Sequence, residues 1–272
     1  MHRHVSFNLQ IFPAEKTFLA AISSAALYGR GVFTTIAIDD AKPFLWKKHW
    51  RRLNENSVKL GINLNDFSEE IVKVALLRII SHNKLETGRA RLTFFDESAG
   101  GIWNFETENK TNFLITTANF QSVNDEFNLT VSPFHLNSKS PLANVKSCNY
   151  LENLLALEDA KRRGFDEAVR LNERGEIASA ATANIFWVKN AQIYTPPIET
   201  GCLAGTMREF LMENFTVEEK IINIEELFNA DEIFLTSSGI GVKSVKRLDE
   251  KPFAITISAE LKKFIQQKFH EN

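Results

Sequence analysis

Three candidate strand segments follow one another closely in the second half of the chain, and they constrain the fold most. They span Glu167–Asn172, about Ile177–Val188 and Gln192–Tyr194. Few helical patterns separate the strand segments of this half, whereas a doubly wound fold alternates strands and helices regularly. The sequence therefore predicts an α+β chain with a barrel-like C-terminal domain.

Hydrophobic periodicity and turn residues predict the other elements. Helices are expected at Leu45–Leu60, Phe67–Ile80, Asn149–Arg163, Thr206–Asn214 and Ile257–Phe269. Strands are expected at Gly31–Ile38, which leads into a hairpin, and at Arg89–Phe95, Asn112–Thr117, Leu129–Pro133 and Glu232–Thr236. In the helix that begins at Asn149, the side chains of Leu151, Leu154, Leu155 and Ala156 are expected to face inward.

A polar stretch without periodicity, residues 118–126, predicts the connection between two domains. The first domain is expected to span residues 1–117 and the second residues 127–272. Each is long enough to bury a hydrophobic core of its own.

Composition excludes several classes of protein. The 272 residues carry a formal net charge of −2, which gives no field for collecting nucleic acid or an anionic membrane surface. No apolar stretch approaches the roughly 20 residues of a membrane span, and no signal peptide is recognisable. Two cysteines and six scattered histidines form no disulfide framework and no metal-binding spacing, so no metal is expected. We expect a cytoplasmic protein.

Four local features are suited to holding an anion or a reactive amine. Leu203–Arg208 is a glycine turn that opens a helix, and Thr236–Gly239 is a hydroxyl-rich turn after a strand. Arg52 lies on an amphipathic helix, and Lys146 lies between a loop and a helix, where loss of water would lower its pKa. Taken singly, each is better explained as a capped helix, a solvated arginine or a surface lysine.

The order and spacing of these features resemble one family, the class IV pyridoxal-phosphate enzymes of fold type IV. This family includes branched-chain and D-amino acid aminotransferases and aminodeoxychorismate lyase. The resemblance covers nearly the whole chain. The matching segments are Tyr28–Phe33, His49–Leu53, Lys146–Asn153, Gly164–Val188, Thr195–Pro197, Leu203–Arg208 and Asp231–Gly239.

The resemblance implies a site and an architecture. Lys146 matches the lysine that bonds to the aldehyde of pyridoxal 5′-phosphate and later moves a proton, and Arg52 matches the arginine that binds the cofactor phosphate. The remaining phosphate contacts fall on the backbone of Thr206 and Met207 and on Ser238, and Tyr150 falls near the cofactor's phenolic oxygen. Family members have a small N-terminal α/β domain, a larger C-terminal pseudo-barrel domain, a cofactor in the cleft between them, and commonly a homodimeric assembly.

One position departs from the family pattern. The glutamate that pairs with the pyridine nitrogen of the cofactor falls on Ser179 in this chain. A carboxylate keeps that nitrogen protonated and makes the ring a strong electron sink, whereas a serine hydroxyl only hydrogen-bonds to it. Glu176, three residues earlier, would face the other side of a strand.

This departure favours elimination over transamination, because transamination depends on a strong electron sink. Phe33-Thr34-Thr35 and Met207 before Arg208 also resemble aminodeoxychorismate lyase, which forms 4-aminobenzoate and pyruvate for folate synthesis. An aminotransferase acting on D-amino or branched-chain amino acids is the alternative, and a cofactor-binding homologue with little or no turnover is the third. The small amino substrate is expected near Tyr28, Arg30 and Thr35, although Arg30 is equally suited to a structural role.

Overall fold

The computed structural model describes residues 1–98, 110–120 and 124–270. The chain forms two compact units. One comprises Met1–Gln121 and Val145–Asn149, and the other comprises Ser122–Asn144 and Tyr150–Glu271. The short segment that contains Lys146 therefore belongs to the first unit, although the sequence on both sides of it belongs to the second.

The first unit is built on an antiparallel sheet of six strands in the order β2-β1-β6-β5-β3-β4. Its strands are β1 (His4–Phe7), β2 (Gln10–Pro13), β3 (Gly31–Asp39), β4 (Lys42–Pro43), β5 (Gly88–Asp96) and β6 (Thr111–Asn119), and its helices are α1 (Ser24–Tyr28), α2 (Trp46–Leu60) and α3 (Glu69–His82). Inward side chains of β3, β5 and β6 and of α3 form one hydrophobic cluster, which includes Ile36, Phe94, Ile115, Leu76 and Ile79.

Local residue chemistry explains why the elements of this unit begin and end where they do. The turn between β3 and β4 consists of Asp40 and Ala41, both with positive φ, as two-residue hairpin turns require. The Ser68 hydroxyl accepts a hydrogen bond from the backbone of Ile71 and caps α3. Helix α2 ends at Gly61 in the left-handed conformation. The predicted hairpin and the predicted end of the helix at Leu60 are confirmed.

The second unit is built on a curled nine-stranded mixed sheet in the order β12-β11-β10-β13-β14-β7-β8-β9, with β15 paired to β14. Its strands are β7 (Glu126–Val131), β8 (Glu167–Leu171), β9 (Ile177–Ala180), β10 (Asn184–Lys189), β11 (Gln192–Thr195), β12 (Val217–Glu219), β13 (Glu232–Ser237), β14 (Gly241–Leu248) and β15 (Lys251–Pro252). Its helices are α4 (Leu151–Arg162), α5 (Thr206–Asn214), α6 (Ile224–Phe228) and α7 (Ile257–His270). The predicted α+β class is confirmed.

The single strand predicted over Ile177–Val188 is wrong, because residues 181–183 leave the ladder between β9 and β10. The buried carboxylate of Glu167 causes the break. It accepts hydrogen bonds from the backbone of Ala181 and from both the backbone and the hydroxyl of Thr182. These bonds turn the chain out of the sheet before β10 begins.

The inward orientation predicted for three leucines of α4 is also wrong. Leu151, Leu154 and Leu155 are 66%, 44% and 42% exposed. The buried side chains of this helix are Ala156, as predicted, and Ala160. Small side chains let the helix axis approach strand β8 closely, so the leucines remain on the opposite side.

The ends of several elements also differ from the prediction. Strand β6 continues to Asn119, and β7 begins at Glu126 rather than at Leu129. These strands take up both ends of the polar stretch 118–126, of which residues 121–123 lie outside the described part of the chain. Among the described residues, every helix falls short of the length and apolar character needed to cross a bilayer.

Candidate functional site

The segment that carries Lys146 is fixed to the first residues of β3 by backbone hydrogen bonds. The backbone N–H of Phe33 donates to the carbonyl of Lys146 over 2.9 Å. The N–H of Cys148 donates to the carbonyl of Gly31 over 2.8 Å. Lys146 therefore has a defined position at the edge of the sheet, although a loop precedes it and a helix follows it.

Two glycines of the Tyr-Gly-Arg-Gly motif make room for this segment. Gly29 has a φ of +63°, and a Cβ there would lie 2.7 Å from Oδ1 of Asn149. A Cβ on Gly31 would lie 2.9 Å from Sγ of Cys148. The Asn149 amide also donates to the carbonyl of Tyr28 over 2.9 Å. The motif therefore serves to seat the lysine segment against β3.

The surroundings of Lys146 favour its neutral amine. The side chain is half-buried, and its Nζ lies 4.6 Å from the centre of the Phe33 ring. Burial, followed by the positive charges of Arg52 and Arg91, lowers the pKa of Lys146 to about 7. A neutral amine at physiological pH is a nucleophile and a proton acceptor.

We expect Lys146 to react with acetic anhydride much faster than exposed lysines near neutral pH. Because its pKa is lowered to about 7, the neutral fraction rises between pH 6 and pH 8 and then levels off. An ordinary lysine gains its neutral form only around pH 10.4. Competitive acetylation with mass spectrometry checks this, with the exposed Lys139 as the internal control. Parallel pH profiles for Lys139 and Lys146 would contradict the assignment.

Arg52 is held by a hydrogen-bond chain with Thr34 and His49. The buried Arg52 lies one turn after His49 on α2, so both side chains face β3. Nη2 of Arg52 donates to Oγ1 of Thr34 over 2.9 Å, and that oxygen lies 2.7 Å from Nδ1 of His49. Burial, then the charges of Arg52 and Lys146, lower the pKa of His49 well below its usual value. The histidine is therefore neutral and orients the guanidinium through Thr34.

Two arginines, Arg52 and Arg91, and the amine of Lys146 thus belong to one region of the first unit. Arg91 lies directly opposite Thr35, with its guanidinium carbon 3.6 Å from the centre of the Phe33 ring. Arg91 and Arg52 both act on the amine of Lys146. Such a concentration of positive charge beside a neutral amine is suited to an anion that also carries an electrophilic carbon.

The three residues predicted to contact substrate also lie in the first unit. Tyr28 ends α1 with its side chain 44% exposed, and Thr35 is a half-buried residue of β3. The guanidinium of Arg30 forms an ion pair with Asp96 at 3.3 Å and donates to the carbonyl of Leu60 over 3.4 Å. Arg30 therefore ties the start of β3 to the end of α2.

A second group of predicted residues lies together in the second unit. Helix α5 begins at Thr206, directly after the glycine turn, and the Thr206 and Ser238 hydroxyl oxygens are 2.8 Å apart. Met207 follows and is buried. The first turn of a helix presents backbone N–H groups and a positive partial charge, so this cluster is suited to a phosphate.

Asn184 supports this turn, and sequence reasoning assigned it no role. Its amide donates to the carbonyl of Leu203 over 2.8 Å. A Cβ on Gly205 would lie only 1.9 Å from Oδ1 of Asn184. Gly205 is therefore required by close approach of the asparagine, since its φ of −71° suits any residue.

We expect Gly205→Ala to lower the free energy of unfolding by about 2–4 kcal/mol, since overpacking adds to the loss of a buried hydrogen bond. Denaturant unfolding measures this. Asn184→Ala provides the matched test, because it removes the atom that the new methyl group would meet. The double variant should unfold no more easily than Asn184→Ala alone. If the losses in the free energy of unfolding add up in the double variant, the strain in Gly205→Ala does not come from contact with Asn184.

Ser179 and Tyr150 complete the predicted set, and both are half-buried residues of the second unit. Tyr150 directly precedes α4. Ser179 lies on β9, opposite the buried Arg170 of β8. The carboxylate of Glu176 accepts hydrogen bonds from Arg174 and Asn172 instead.

Besides Asn184, sequence reasoning missed four residues of these two groups: His49, Thr34, Arg91 and Arg170. Of these, His49 could have been found from the sequence, because its spacing of three residues from Arg52 places both on one face of the helix. The other three are brought to their places by strand pairing, which no local pattern reports.

Comparisons with known proteins give the family of the chain. Residues 31–248 match the sequence model of the family described as amino-transferase class IV. A putative branched-chain-amino-acid aminotransferase of Methanocaldococcus jannaschii is 29% identical over 90% of this chain and 88% of its own length. Aminodeoxychorismate lyase of Bacillus subtilis is 27% identical over 85% of this chain and 82% of its own.

The fold agrees with the same family. The branched-chain aminotransferase of the thermophilic archaeon Thermoproteus uzoniensis, solved with norvaline, superposes with a TM-score of 0.92 at 22% identity. The superposition covers 98% of this chain and 94% of that one. From the family match over residues 31–248, the chain belongs to the class IV aminotransferases, and its cofactor is pyridoxal 5′-phosphate.

Proposed function

We propose that this enzyme is an aminodeoxychorismate lyase, which converts 4-amino-4-deoxychorismate into 4-aminobenzoate and pyruvate for folate synthesis. The observation that carries the proposal is Ser179, which stands where the family places a glutamate. The named lyase of Bacillus subtilis, similar over most of both chains, supports it. An aminotransferase for branched-chain or D-amino acids is the second candidate, supported by the relative from Methanocaldococcus jannaschii.

The chemistry of the first-unit cluster fits pyridoxal 5′-phosphate. The neutral amine of Lys146 suits an aldehyde, and the guanidinium of Arg52 suits a phosphate. When bound, this cofactor supplies an aldehyde for amines and a ring that withdraws electrons from the bond being broken. We assign further phosphate contacts to the backbone of Thr206 and Met207 and to the Ser238 hydroxyl.

Each remaining residue has a defined task in the proposed reaction. Lys146 takes a proton from the α-carbon of the substrate and returns one as pyruvate departs, which a pKa of about 7 permits in both directions. Neutral His49, acting through Thr34, keeps Arg52 oriented. We assign Tyr150 to the phenolic oxygen of the cofactor and Ser179 to its ring nitrogen. Tyr28 and Thr35 would border the substrate, with Arg30 in a supporting role.

The choice between lyase and aminotransferase depends on how strongly the ring must withdraw electrons. Transamination moves a proton between two carbons and would need the strong electron withdrawal of a protonated ring nitrogen. Elimination expels a leaving group that takes an electron pair with it, so it would need less electron withdrawal by the cofactor. A serine at position 179 therefore suits elimination better than transamination.

One assay separates the two candidates. The cofactor-loaded enzyme receives aminodeoxychorismate, and separately D- and L-amino acids, all without a keto-acid acceptor. A lyase forms many molecules of pyruvate per molecule of enzyme. Its visible absorbance stays unchanged when any of the amino acids is added. An aminotransferase stops after one equivalent, and its absorbance shifts to that of the pyridoxamine form. The second result would replace our proposal by the aminotransferase.

We further propose that the enzyme is a cytoplasmic homodimer. The three exposed leucines of α4 give it an apolar surface that a second copy would cover. Light scattering should then give about twice the chain mass of 30.9 kDa. A mass of one chain at micromolar concentration would contradict the dimer.

A further inference from the structure

Arg170 is a buried cation to which the mechanism above gives no task. It lies within β8, with its side chain 3% exposed. Its Nε donates to the carbonyl of Phe134 over 3.3 Å, while its Nη2 finds no hydrogen-bond acceptor among the described residues. The carboxylate of Glu152 lies 3.5 Å from Nη2 but belongs to a side chain that is 76% exposed. A guanidinium buried with so little compensation is costly, which points to a ligand.

The strand register places Arg170 beside Ser179. The two residues are direct partners in the antiparallel ladder of β8 and β9. Directly paired residues project from the same face of a sheet, with Cα atoms roughly 4.5–5.5 Å apart. The neighbouring pair, Val169 and Ala180, projects from the other face into the hydrophobic cluster of this unit. Arg170 and Ser179 therefore share one polar face.

We propose that Arg170, together with Ser179, holds the ring nitrogen of the cofactor unprotonated. This inference rests on the proposed function, which assigns Ser179 to that nitrogen. A guanidinium carries five N–H donors and no acceptor, and it keeps its charge in proteins. It therefore donates a hydrogen bond to a neutral pyridine nitrogen and repels a protonated one. The family's glutamate has the opposite effects: its carboxylate attracts a protonated ring nitrogen and donates no hydrogen bond to a neutral one.

The carboxylates nearest in the fold do not reverse this charge. Glu152, on the first turn of α4, lies 3.5 Å from Nη2 of Arg170 but is mostly in water, so it offsets little of the guanidinium charge. Glu167 lies three residues before Arg170, on the alternate face of β8. Burial raises the pKa of Glu167, and its oxygens already accept hydrogen bonds from the break between β9 and β10.

The pair predicts how the site responds to restoring the family's glutamate. In Ser179→Glu alone, the new carboxylate lies directly opposite the guanidinium and pairs with it. Only Arg170→Leu/Ser179→Glu leaves a carboxylate for the ring nitrogen. Arg170 thus acts as a specificity-determining residue, since an unprotonated ring disfavours transamination.

Nitrogen NMR on protein loaded with cofactor labelled with ¹⁵N in the ring tests the inference without any turnover. We expect the resonance of an unprotonated pyridine in the wild type and in Ser179→Glu, and that of a pyridinium in Arg170→Leu/Ser179→Glu. Glu152→Gln, which removes the exposed acid, is the matched control and should keep the wild-type resonance. A pyridinium resonance in the wild type would overturn the inference.

Affinity provides a second readout. Pyridoxal phosphate methylated on the ring nitrogen carries a fixed positive charge there. The wild type should bind this analogue at least about tenfold more weakly than the natural cofactor, and Arg170→Gln should narrow the difference. Equal affinities in the wild type would also overturn the inference. The outcomes remain separable from the proposed function: failure to attach cofactor at Lys146 refutes that function, whereas attachment with a protonated nitrogen refutes only the role of Arg170.

Discussion

Replacing Lys146 by methionine should lower the turnover rate by at least about 10⁴-fold, because the amine serves both as covalent anchor and as proton carrier. Methionine keeps the length and the apolar stem of the side chain, so the packing against Phe33 is retained. The cofactor should still bind through its phosphate but be lost on dialysis. Pyruvate formation and the absorbance after dialysis measure the two effects.

Lys139→Met is the matched control for this loss. Lys139 is exposed and precedes Lys146 by one short loop. Its replacement should leave rate and cofactor retention within twofold of the wild type, a change of roughly 0.4 kcal/mol. Turnover by Lys146→Met at a tenth of the wild-type rate or more would show that Lys146 is not a catalytic residue.

Arg52→Gln should weaken cofactor binding by about 10²-fold, since a hydrogen bond from a charged group contributes roughly 1.5–3 kcal/mol and every 1.4 kcal/mol is tenfold. The substitution also removes a positive charge that lowers the pKa of Lys146. The midpoint of the Lys146 acetylation profile should therefore move to higher pH. Absorbance titration with the cofactor and the acetylation profile test the two effects.

The neighbouring arginine provides the control. Arg51 is exposed and forms a 4.0 Å contact with Glu55. Arg51→Gln should change cofactor affinity by less than twofold, because exposed ion pairs contribute little. Equal losses for Arg51→Gln and Arg52→Gln would show that net charge, rather than the buried guanidinium, attracts the cofactor.

Local chemistry predicts the first unit well where elements are set by short-range rules. The Asp40–Ala41 hairpin and the Ser68 cap depend on residues within four positions of each other. The prediction for helix α4 fails because short-range rules bury the more apolar side of a helix. The leucine side is more apolar than the alanine side, yet the alanines are buried. The close approach to β8 selects the small side chains, and no local pattern reports that distance.

The site shows a similar division. Lys146 and Arg52 are identified by resemblance, whereas their environment comes from long-range contacts. The lysine segment binds the start of β3, more than a hundred residues earlier, and Thr34 joins His49 to Arg52 across a strand and a helix. Arg170 is visible only through the register of β8 and β9. The hydrophobic periodicity of the sequence predicts none of these contacts.

Reducing the cofactor-loaded enzyme with borohydride and mapping the modified peptide by mass spectrometry identifies the residue that anchors the cofactor. Borohydride makes the bond between amine and cofactor permanent, so it marks the anchoring residue without any assumption about the substrate. We expect one phosphopyridoxyl group per chain, on Lys146. Modification of a different lysine, or none in a protein that binds the cofactor, would contradict it.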